Sequence, residues 1–343
     1  MNSMESKDSF KKADLLLKHK DYENASKIYS TLMDNSDTAP VACYRLAQIA
    51  NETGDPVAAK NLYYDAFKLK PDICELVLPA NHCNRTYKFP GIKDLPAIET
   101  CHLCGKKGQP YWCYILPEVA STFRIDFNPV RTWMYCDNCH HLYADEFPVQ
   151  EVISSKNTYN PPMRTIMRFF PYYSEILTKL ANFSQGNDLL EIGIGGCECS
   201  LVAQEMGFNV LGIDILESNV LQAQSYGIDA EVADFMNVDF GKKWDVIILG
   251  DVLEHVSNPV LAIEKVRQLL NDNGVIWIST PTFDGATARM LGHNDPMRRE
   301  TGHLSYFSRQ SLFSLLNRFG LVPIDYRISS HYNGSVEIIA NVQ

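Results

Sequence analysis

The feature that most constrains the fold is a regular alternation of strand-like and helix-like segments in the C-terminal half. Five short apolar runs, DLLEIG, NVLGID, IDAEVA, WDVIILG and GVIWIST, are separated by stretches with helical patterns. Such alternation produces βαβ units, in which helices cover both faces of a parallel sheet. Two further runs, LVPIDYRI and GSVEIIANV, follow without a clear helix between them and predict a hairpin at the sheet edge. The sequence therefore predicts an α/β domain over residues 156–343.

The turn after the first of these strands predicts a nucleotide-like ligand. In the stretch DLLEIGIGGCEC, the strand ends near Glu191, and Gly193 and Gly195 follow it. Glycines at a strand-to-helix turn let the backbone approach a ligand at the helix N-terminus. Cys197 stands where a dinucleotide fingerprint would carry its third glycine, and a pyrophosphate needs that close approach. The cysteine therefore favours a nucleoside with an amino-acid tail, S-adenosylmethionine, over a dinucleotide.

Two later positions fit the same ligand. Asp214 ends the second strand, where a carboxylate can bind two ribose hydroxyls. Asp234 and Phe235 follow the third strand and offer an acceptor and a ring to an adenine. Each has a local alternative, because Asp214 could cap a helix and Phe235 could belong to the core.

These segments, in this order, resemble the class I S-adenosylmethionine-dependent methyltransferases over roughly residues 160–343, and GHLSYFSRQSLFSLLNRFG resembles the subgroup that methylates oxygen on small molecules and glycans. That subgroup often carries a cysteine-paired zinc module ahead of the catalytic domain. The resemblance implies a seven-stranded Rossmann-like sheet and a cofactor site. Its implied members are Glu191, Gly193 and Gly195 at the methionine part, Asp214 and Ile215 at the ribose, Asp234 and Phe235 at the adenine, and Asp251 and Val252 at the methionine end.

Deprotonation of an alcohol or phenol acceptor suits a histidine that titrates near neutral pH. His255 and His303 are the candidates, and Tyr306 follows closely enough to orient the substrate. The segment DVLEHV also resembles the Glu-x-x-Glu-His metal site of ubiquinone-pathway O-methyltransferases, with Asp251 in place of the first glutamate. The resemblance implies a possible Mg²⁺ held by Asp251, Glu254 and His255, with helix capping by Asp251 as the alternative.

The middle region, residues 85–155, contains two C-x-x-C pairs, CHLC and CDNC. Two tight turns that each present two thiolates can complete a tetrahedron around Zn²⁺, and such a closed site stabilises a fold rather than performing catalysis. The predicted ligands are Cys101, Cys104, Cys136 and Cys139. Four buried free cysteines are the alternative.

Residues 1–84 are helical by pattern and contain an internal repeat with an offset of 34 residues. The repeated pairs are Ala13 and Ala47, Asp21 and Asp55, Ala25 and Ala59, and Tyr29 and Tyr63. The spacing resembles the tetratricopeptide repeat, which packs antiparallel helices through small residues. Repeat helices of this kind would support the fold, a homodimer or a protein partner. A plain pair of helical hairpins that serves as a packing layer is the alternative.

Composition excludes several classes of function. The formal net charge is −10 and no basic stripe is visible, which argues against nucleic acid as the main partner. The N-terminus lacks an apolar signal segment and no window is apolar enough for a membrane span, so a cytoplasmic location is expected. Three functions remain: an O-methyltransferase of small molecules or sugars, a peptide or protein methyltransferase whose helices recruit the substrate, and a scaffold without turnover.

Overall fold

The computed structural model describes residues 3–118, 123, 127–148 and 167–343. The expected division at 155/156, between the cysteine-rich and the α/β regions, lies outside these residues.

The N-terminal region consists of two helical hairpins that repeat each other. The four helices are α1 (Ser3–Lys18), α2 (Tyr22–Leu32), α3 (Ala39–Glu52) and α4 (Pro56–Leu69). Asp21 and Asp55 cap α2 and α4, since their side chains accept hydrogen bonds from the backbone N–H groups of Asn24 and Ala58. The repeated alanines and tyrosines are all buried: Ala13, Ala25, Tyr29, Ala47, Ala59 and Tyr63. The repeated sequence positions are therefore equivalent in the structure, whereas membership in the tetratricopeptide family stays a prediction.

A short helix, α5 (Cys74–Val77), leads from the hairpins to a small antiparallel sheet. Its strands are β1 (Gln109–Ile115), β2 (Val130–Cys136), β3 (His141–Ala144) and β9 (Ser305–Phe307), in the order β1-β2-β3-β9. Cys113 and Val130 of this sheet share a core with Tyr64 and Phe67 of α4. Because β9 comes from far along the chain, the cysteine-rich region and the α/β region share this sheet.

The α/β region contains a seven-stranded sheet. Its elements are α6 (Phe170–Phe183), β4 (Asp188–Ile192), α7 (Glu198–Glu205), β5 (Asn209–Asp214), α8 (Glu217–Ser225), β6 (Ala230–Val232), β7 (Trp244–Gly250), α9 (Pro259–Leu269), β8 (Leu270–Pro281), α10 (Ala286–Leu291), α11 (Pro296–Arg299), α12 (Arg309–Arg318), β10 (Leu321–Ile328) and β11 (Ser335–Val342). The strand order is β10-β11-β8-β7-β4-β5-β6, with β11 antiparallel to both neighbours. The predicted α/β sheet and its terminal hairpin are confirmed.

Helices cover both faces of this sheet. On one face, the strands pack against α9 and α12, with residues such as Ile263 and Leu316 fully buried. On the other face they pack against α6 and α7, through residues such as Leu177 and Ala203. Within the described part of the chain, no helix combines the length and apolarity that crossing a bilayer requires.

Candidate active site

The candidate site lies where the parallel strands β4, β5, β7 and β8 end. In an open α/β sheet the crevice outside these carboxyl ends is where ligands bind. The order of the strands brings the turn after β4 next to the ends of β5 and β7. The residues predicted from sequence to bind the cofactor follow these strands.

The turn after β4 has a backbone that glycine favours. Gly193 and Gly195 have φ values of 76° and 49°, and a Cβ at Gly193 would lie 2.7 Å from Cγ2 of Val252. Cys197, the N-cap of α7, is also left-handed, with φ 62°. A non-glycine residue in this conformation costs about 1–2 kcal/mol. The cysteine therefore keeps the backbone path that a third glycine would take, and its side chain is buried.

Glu191, at the end of β4, carries a buried carboxyl group. Its Oε2 accepts a hydrogen bond from the hydroxyl of Ser200, and the described residues form no ion pair with it. Burial raises the pKa of Glu191 to about 8, against the opposing hydrogen bond from Ser200. Glu198 is also buried nearby, and burial raises its pKa too. Two buried carboxyl groups without a basic partner suit a ligand that carries positive charge.

Asp214 is fixed between the glycine turn and the following helix. Its carboxylate accepts hydrogen bonds from N of Gly195 (3.1 Å), N of Leu216 (2.8 Å) and Nδ2 of Asn219 (3.0 Å). These bonds couple the orientation of the carboxylate to the glycine turn. The next residue, Ile215, is 45% exposed and can contact a ligand at the same edge.

Asp234 and Phe235, which follow β6 after one intervening residue, differ in environment. Asp234 accepts hydrogen bonds from N of Met236 and Nδ2 of Asn237 at the end of the strand. Phe235 is 6% exposed and packs in the core of the sheet. The structure therefore favours the core alternative for Phe235 over the predicted contact with adenine.

Asp251 follows β7 with an unusual backbone. Its φ is 52°, and its Oδ1 accepts a hydrogen bond from the hydroxyl of Ser279 on β8 (2.9 Å). Burial raises the pKa of Asp251 to about 6, and the charge of Glu337 adds to this effect. The capping alternative for Asp251 is wrong, because the next helix, α9, is capped by Asn258. A positive φ on a non-glycine residue at a strand end often accompanies a functional site.

The two predicted catalytic histidines lie together. The ring centroids of His255 and His303 are 4.8 Å apart. Nδ1 of His255 lies 3.0 Å from O of Gly302, and Nδ1 of His303 lies 2.9 Å from O of Met297. Burial lowers the pKa of both rings, and His255 lowers that of His303 further. Both imidazoles are therefore neutral at neutral pH.

Tyr306 has a different environment from the one predicted. It is fully buried on β9, beside the rings of Trp133 and Phe283, and its hydroxyl donates to Asp295. Because that hydroxyl is already bonded inside the core, the predicted role of Tyr306 in orienting a substrate is not supported.

The three magnesium ligands implied by the sequence resemblance do not form one group in the structure. Among the described residues, Glu254 and His255 are grouped at metal-binding distance with His303, and Asp251 is not part of that group. Asp251 instead accepts the hydroxyl of Ser279. The set Asp251, Glu254 and His255 therefore does not fit a shared Mg²⁺.

Two residues that the sequence did not single out hold the segment that carries His303. The buried guanidinium of Arg131 donates from Nη1 to O of His303 (3.0 Å) and to O of Glu300 (3.4 Å). The indole N–H of Trp133 donates to O of Arg298 (2.9 Å). Both residues lie on β2 of the small sheet. No local pattern pointed to them, since their partners lie more than 160 residues away.

The four predicted zinc ligands converge in the small sheet region. Sγ of Cys101 lies 3.4 Å from Sγ of Cys139, Sγ of Cys104 lies 3.5 Å from Sγ of Cys136, and all four lie within 4.8 Å of one another. The two knuckles match, since the N–H after each second cysteine donates to O of the first. Those donors, Gly105 and His140, both have positive φ. The arrangement fits one tetrahedral metal ion.

A comparison with known protein families gives a match to the region that contains this site. Residues 163–326 match the family described as a methyltransferase domain. Nearly half of this chain is therefore similar to a methyltransferase domain. Its sheet order, with one antiparallel strand beside β8, agrees with the match.

Curated relatives of the methyltransferase domain are named ubiquinone biosynthesis O-methyltransferases. The protein of Rickettsia conorii is 30% identical over 149 residues, which are 42% of this chain and 48% of the relative. That of Ruegeria sp. (strain TM1040) is 30% identical over 154 residues, 41% of this chain and 62% of the relative. The chain thus spans about half the length of the curated relatives it matches.

Among solved structures, magnesium protoporphyrin IX methyltransferase from Synechocystis PCC 6803 is 16% identical. The similarity covers 55% of this chain and 90% of that one, with a TM-score of 0.44.

Proposed function

We propose that this protein transfers a methyl group from S-adenosylmethionine to a hydroxyl of a small molecule or sugar. The observation that carries the proposal is the edge formed by the left-handed turn after β4, Glu191 and Asp214. The relatives named as O-methyltransferases support transfer to oxygen.

The buried carboxyl groups match the charge of this cofactor. S-adenosylmethionine carries a sulfonium and an α-ammonium, and when bound it supplies an electrophilic methyl group. Glu191, Glu198 and Asp251 can neutralise that positive charge, and Asp214 can accept the ribose hydroxyls. The chain's own contribution to the rate is alignment of the acceptor in a site from which water is excluded.

The histidine pair supplies the acceptor side of the site. A carbonyl oxygen can only accept a hydrogen bond, so the bonds to O of Gly302 and O of Met297 place a proton on Nδ1 of both rings. Each Nε2 then keeps its lone pair and can accept a proton from the acceptor hydroxyl. His303, whose segment is anchored from the small sheet, is the proposed base.

A zinc ion held by Cys101, Cys104, Cys136 and Cys139 is proposed to stabilise the small sheet. A cytoplasmic location, which the sequence predicts, would keep these thiols reduced and able to bind metal. Because β9 belongs to this sheet, the metal would also support the segment before β9 that carries His303.

Methylation of a peptide or protein is the second candidate. A cleft of about 450 Å³ between the helical hairpins, β1 and the segment after α10 favours it. Its lining includes Tyr22, Trp112, His293 and Arg299. These aromatic and basic groups could hold part of an extended chain.

The test is transfer of an isotopically labelled methyl group into a cell extract, fractionated afterwards into small molecules, glycans and proteins. We expect label in the small-molecule or glycan fraction with the wild-type protein and none with Asp214→Ala. His303→Gln should bind the cofactor normally but lose about 10²–10⁴-fold in turnover, as loss of a general base does. Label confined to proteins would select the second candidate, and absence of both cofactor binding and transfer would refute the methyltransferase proposal.

A further inference from the structure

We propose that the cleft between the helical hairpins and the small sheet is a carbohydrate-binding site for a short neutral oligosaccharide. Binding there is independent of methyl transfer, whereas a role in anchoring the acceptor rests on the proposed function. The volume of the cleft, about 450 Å³, lies within the range of about 300–1,000 Å³ that is usual for small-ligand pockets. Its walls come from α1, α2, α3, α4, β1 and residues 292–299, so no single region of the chain forms it alone.

The walls of the cleft are held in place by bonds between α3 and the small sheet region. Nδ2 of Asn51 donates to O of Cys113 (2.7 Å), and N of Cys113 donates to Oδ1 of Asn51 (3.0 Å). The hydroxyl of Tyr44 donates to the carboxylate of Glu118. Asn51 and Tyr44 are both buried. The cleft is therefore formed before a ligand binds, so little conformational entropy is lost on binding.

The pairing of Asn51 with Cys113 also disfavours a peptide as the ligand. β1 is the edge strand of the small sheet, and an exposed edge binds an extended peptide through backbone hydrogen bonds. Cys113 lines the cleft, but the side chain of Asn51 already occupies both its N–H and its C=O. A ligand in the cleft must therefore be recognised by side chains.

Aromatic side chains supply flat apolar surfaces in the cleft. The ring of His293 stacks on the indole of Trp112, with centroids 3.2 Å apart and planes 8° apart. The hydroxyl of Tyr114 donates to O of His293 (3.1 Å) and holds this stacked pair against β1. Burial lowers the pKa of His293 to about 4, so its ring is neutral at neutral pH. Tyr22 adds a ring from the hairpins. The C–H faces of sugar rings can pack against apolar surfaces of this kind.

The charged side chains in the cleft include both donors and acceptors. Lys18, Lys20 and Arg299 line it, and none of them is in an ion pair with another residue that the structure describes. Glu52 and Glu118 contribute two carboxylates, which also accept tyrosine hydroxyls. Because the two signs nearly balance, a strongly charged ligand gains little here. Sugar hydroxyls both donate and accept, so they can bond to both kinds of group.

One segment connects the cleft to the proposed base. His293 and Arg299 lie at the cleft, and His303 follows Arg299 by four residues. Between them, Nη1 of Arg131 donates to O of Glu300 (3.4 Å) and to O of His303 (3.0 Å). An oligosaccharide in the cleft would therefore contact the segment that carries the base. On the proposed function, this contact would anchor one part of a glycan acceptor while another part is methylated.

The experiment measures ligand binding to the full-length protein by saturation-transfer NMR and calorimetry. The probes are maltotriose, cellotriose, mannotriose and chitotriose, compared with acetyl-trialanine amide and inorganic phosphate. We expect at least one trisaccharide to bind, and neither the peptide nor phosphate. Arg299→Gln and Glu52→Gln should each weaken trisaccharide binding by about tenfold or more, as loss of hydrogen bonds to a charged group does. Lys12→Gln, which removes an exposed charge elsewhere on α1, should leave the affinity unchanged.

Three results would overturn the proposal: binding of no trisaccharide, binding of the peptide or phosphate instead, or a trisaccharide affinity unchanged in both variants. Melting temperatures show whether the variants are folded. If Arg299→Gln is not, Glu52→Gln decides, because the Glu52 side chain is exposed. If a trisaccharide binds but cofactor binding and transfer are absent, the methyltransferase proposal fails while the carbohydrate site stands. If transfer occurs and no trisaccharide binds, only the carbohydrate site fails.

Discussion

The pH dependence of cofactor binding follows from the burial of Glu191. In the cofactor-free protein its pKa is raised to about 8, so the carboxyl group is mostly protonated at neutral pH. A cationic cofactor beside it favours the ionised form, so binding releases a proton. Affinity must then rise with pH below about 8, because less work is needed to remove that proton.

The size of the effect can be worked out from this pKa. If the pKa of Glu191 in the complex falls well below 6, affinity should increase by up to about 25-fold between pH 6 and pH 7.5. The window ends at pH 7.5 because the α-ammonium of the cofactor, with an ordinary pKa of about 7.7–8.0, begins to titrate above it. Asp251, with a pKa raised to about 6, adds a smaller increase of the same sign at the lower end.

Calorimetry with S-adenosylmethionine across this range measures the slope, and two buffers with different ionisation enthalpies count the released protons. Glu191→Gln keeps an acceptor for the hydroxyl of Ser200 but cannot ionise, so most of the slope should disappear. The exposed Glu217→Gln should keep it. A flat wild-type profile, or an unchanged slope in Glu191→Gln, would show that Glu191 does not face the cofactor's charge.

The stability of the cofactor-free protein should depend on pH in the opposite direction from cofactor affinity. The unfolded chain ionises Glu191 near its ordinary pKa of 4.5, whereas the folded chain holds the proton up to about 8. Stability should therefore fall as pH rises through this interval, and saturating cofactor should reduce the loss.

Three further predictions concern other parts of the molecule. Asp214→Asn should weaken cofactor binding by about 10–100-fold, in line with the 1.5–3 kcal/mol of a hydrogen bond to a charged group; calorimetry that gives wild-type affinity would contradict the ribose role. Cys136→Ser should lower the melting temperature and release zinc, whereas the exposed Cys83→Ser should do neither, as thermal denaturation with metal analysis will show. Arg131→Met removes two hydrogen bonds to the His303 segment, so methyl-transfer turnover should fall more than cofactor affinity does; an equal loss of both would indicate general unfolding.

The parts of this structure that local sequence determines were predictable. The strands from DLLEIG to GVIWIST alternate with helices at short range, and each buries its own apolar side chains, so periodicity alone identifies the sheet. The helical repeat was also predictable because it depends on short-range contacts. Asp21 and Asp55 cap their helices through bonds to residues three positions away. Each C-x-x-C pair spans only four residues, so its geometry is also determined locally.

Features that depend on contacts between distant segments were not predictable. Nothing in the sequence near Ser305 indicates that β9 pairs with β3 instead of joining the larger sheet. That pairing places His303 against His255 and buries Tyr306, which the sequence predicts to orient the substrate. Likewise, Asp251 does not take the metal-binding role that the sequence resemblance implies, because its side chain bonds to Ser279 on the adjacent strand.

The β3–β9 pairing also constrains how the domains of this protein can recombine in evolution or in engineering. A gene fragment encoding the methyltransferase domain alone would leave β9 without its strand partner and expose the aromatic rings of Tyr306 and Phe307. The same fragment would lack the Arg131 and Trp133 bonds that hold the segment before β9. Domain shuffling therefore cannot exchange the cysteine-rich module as an independent cassette. Any lineage that replaces it must change residues 297–307 at the same time, and the two regions should be lost or retained together.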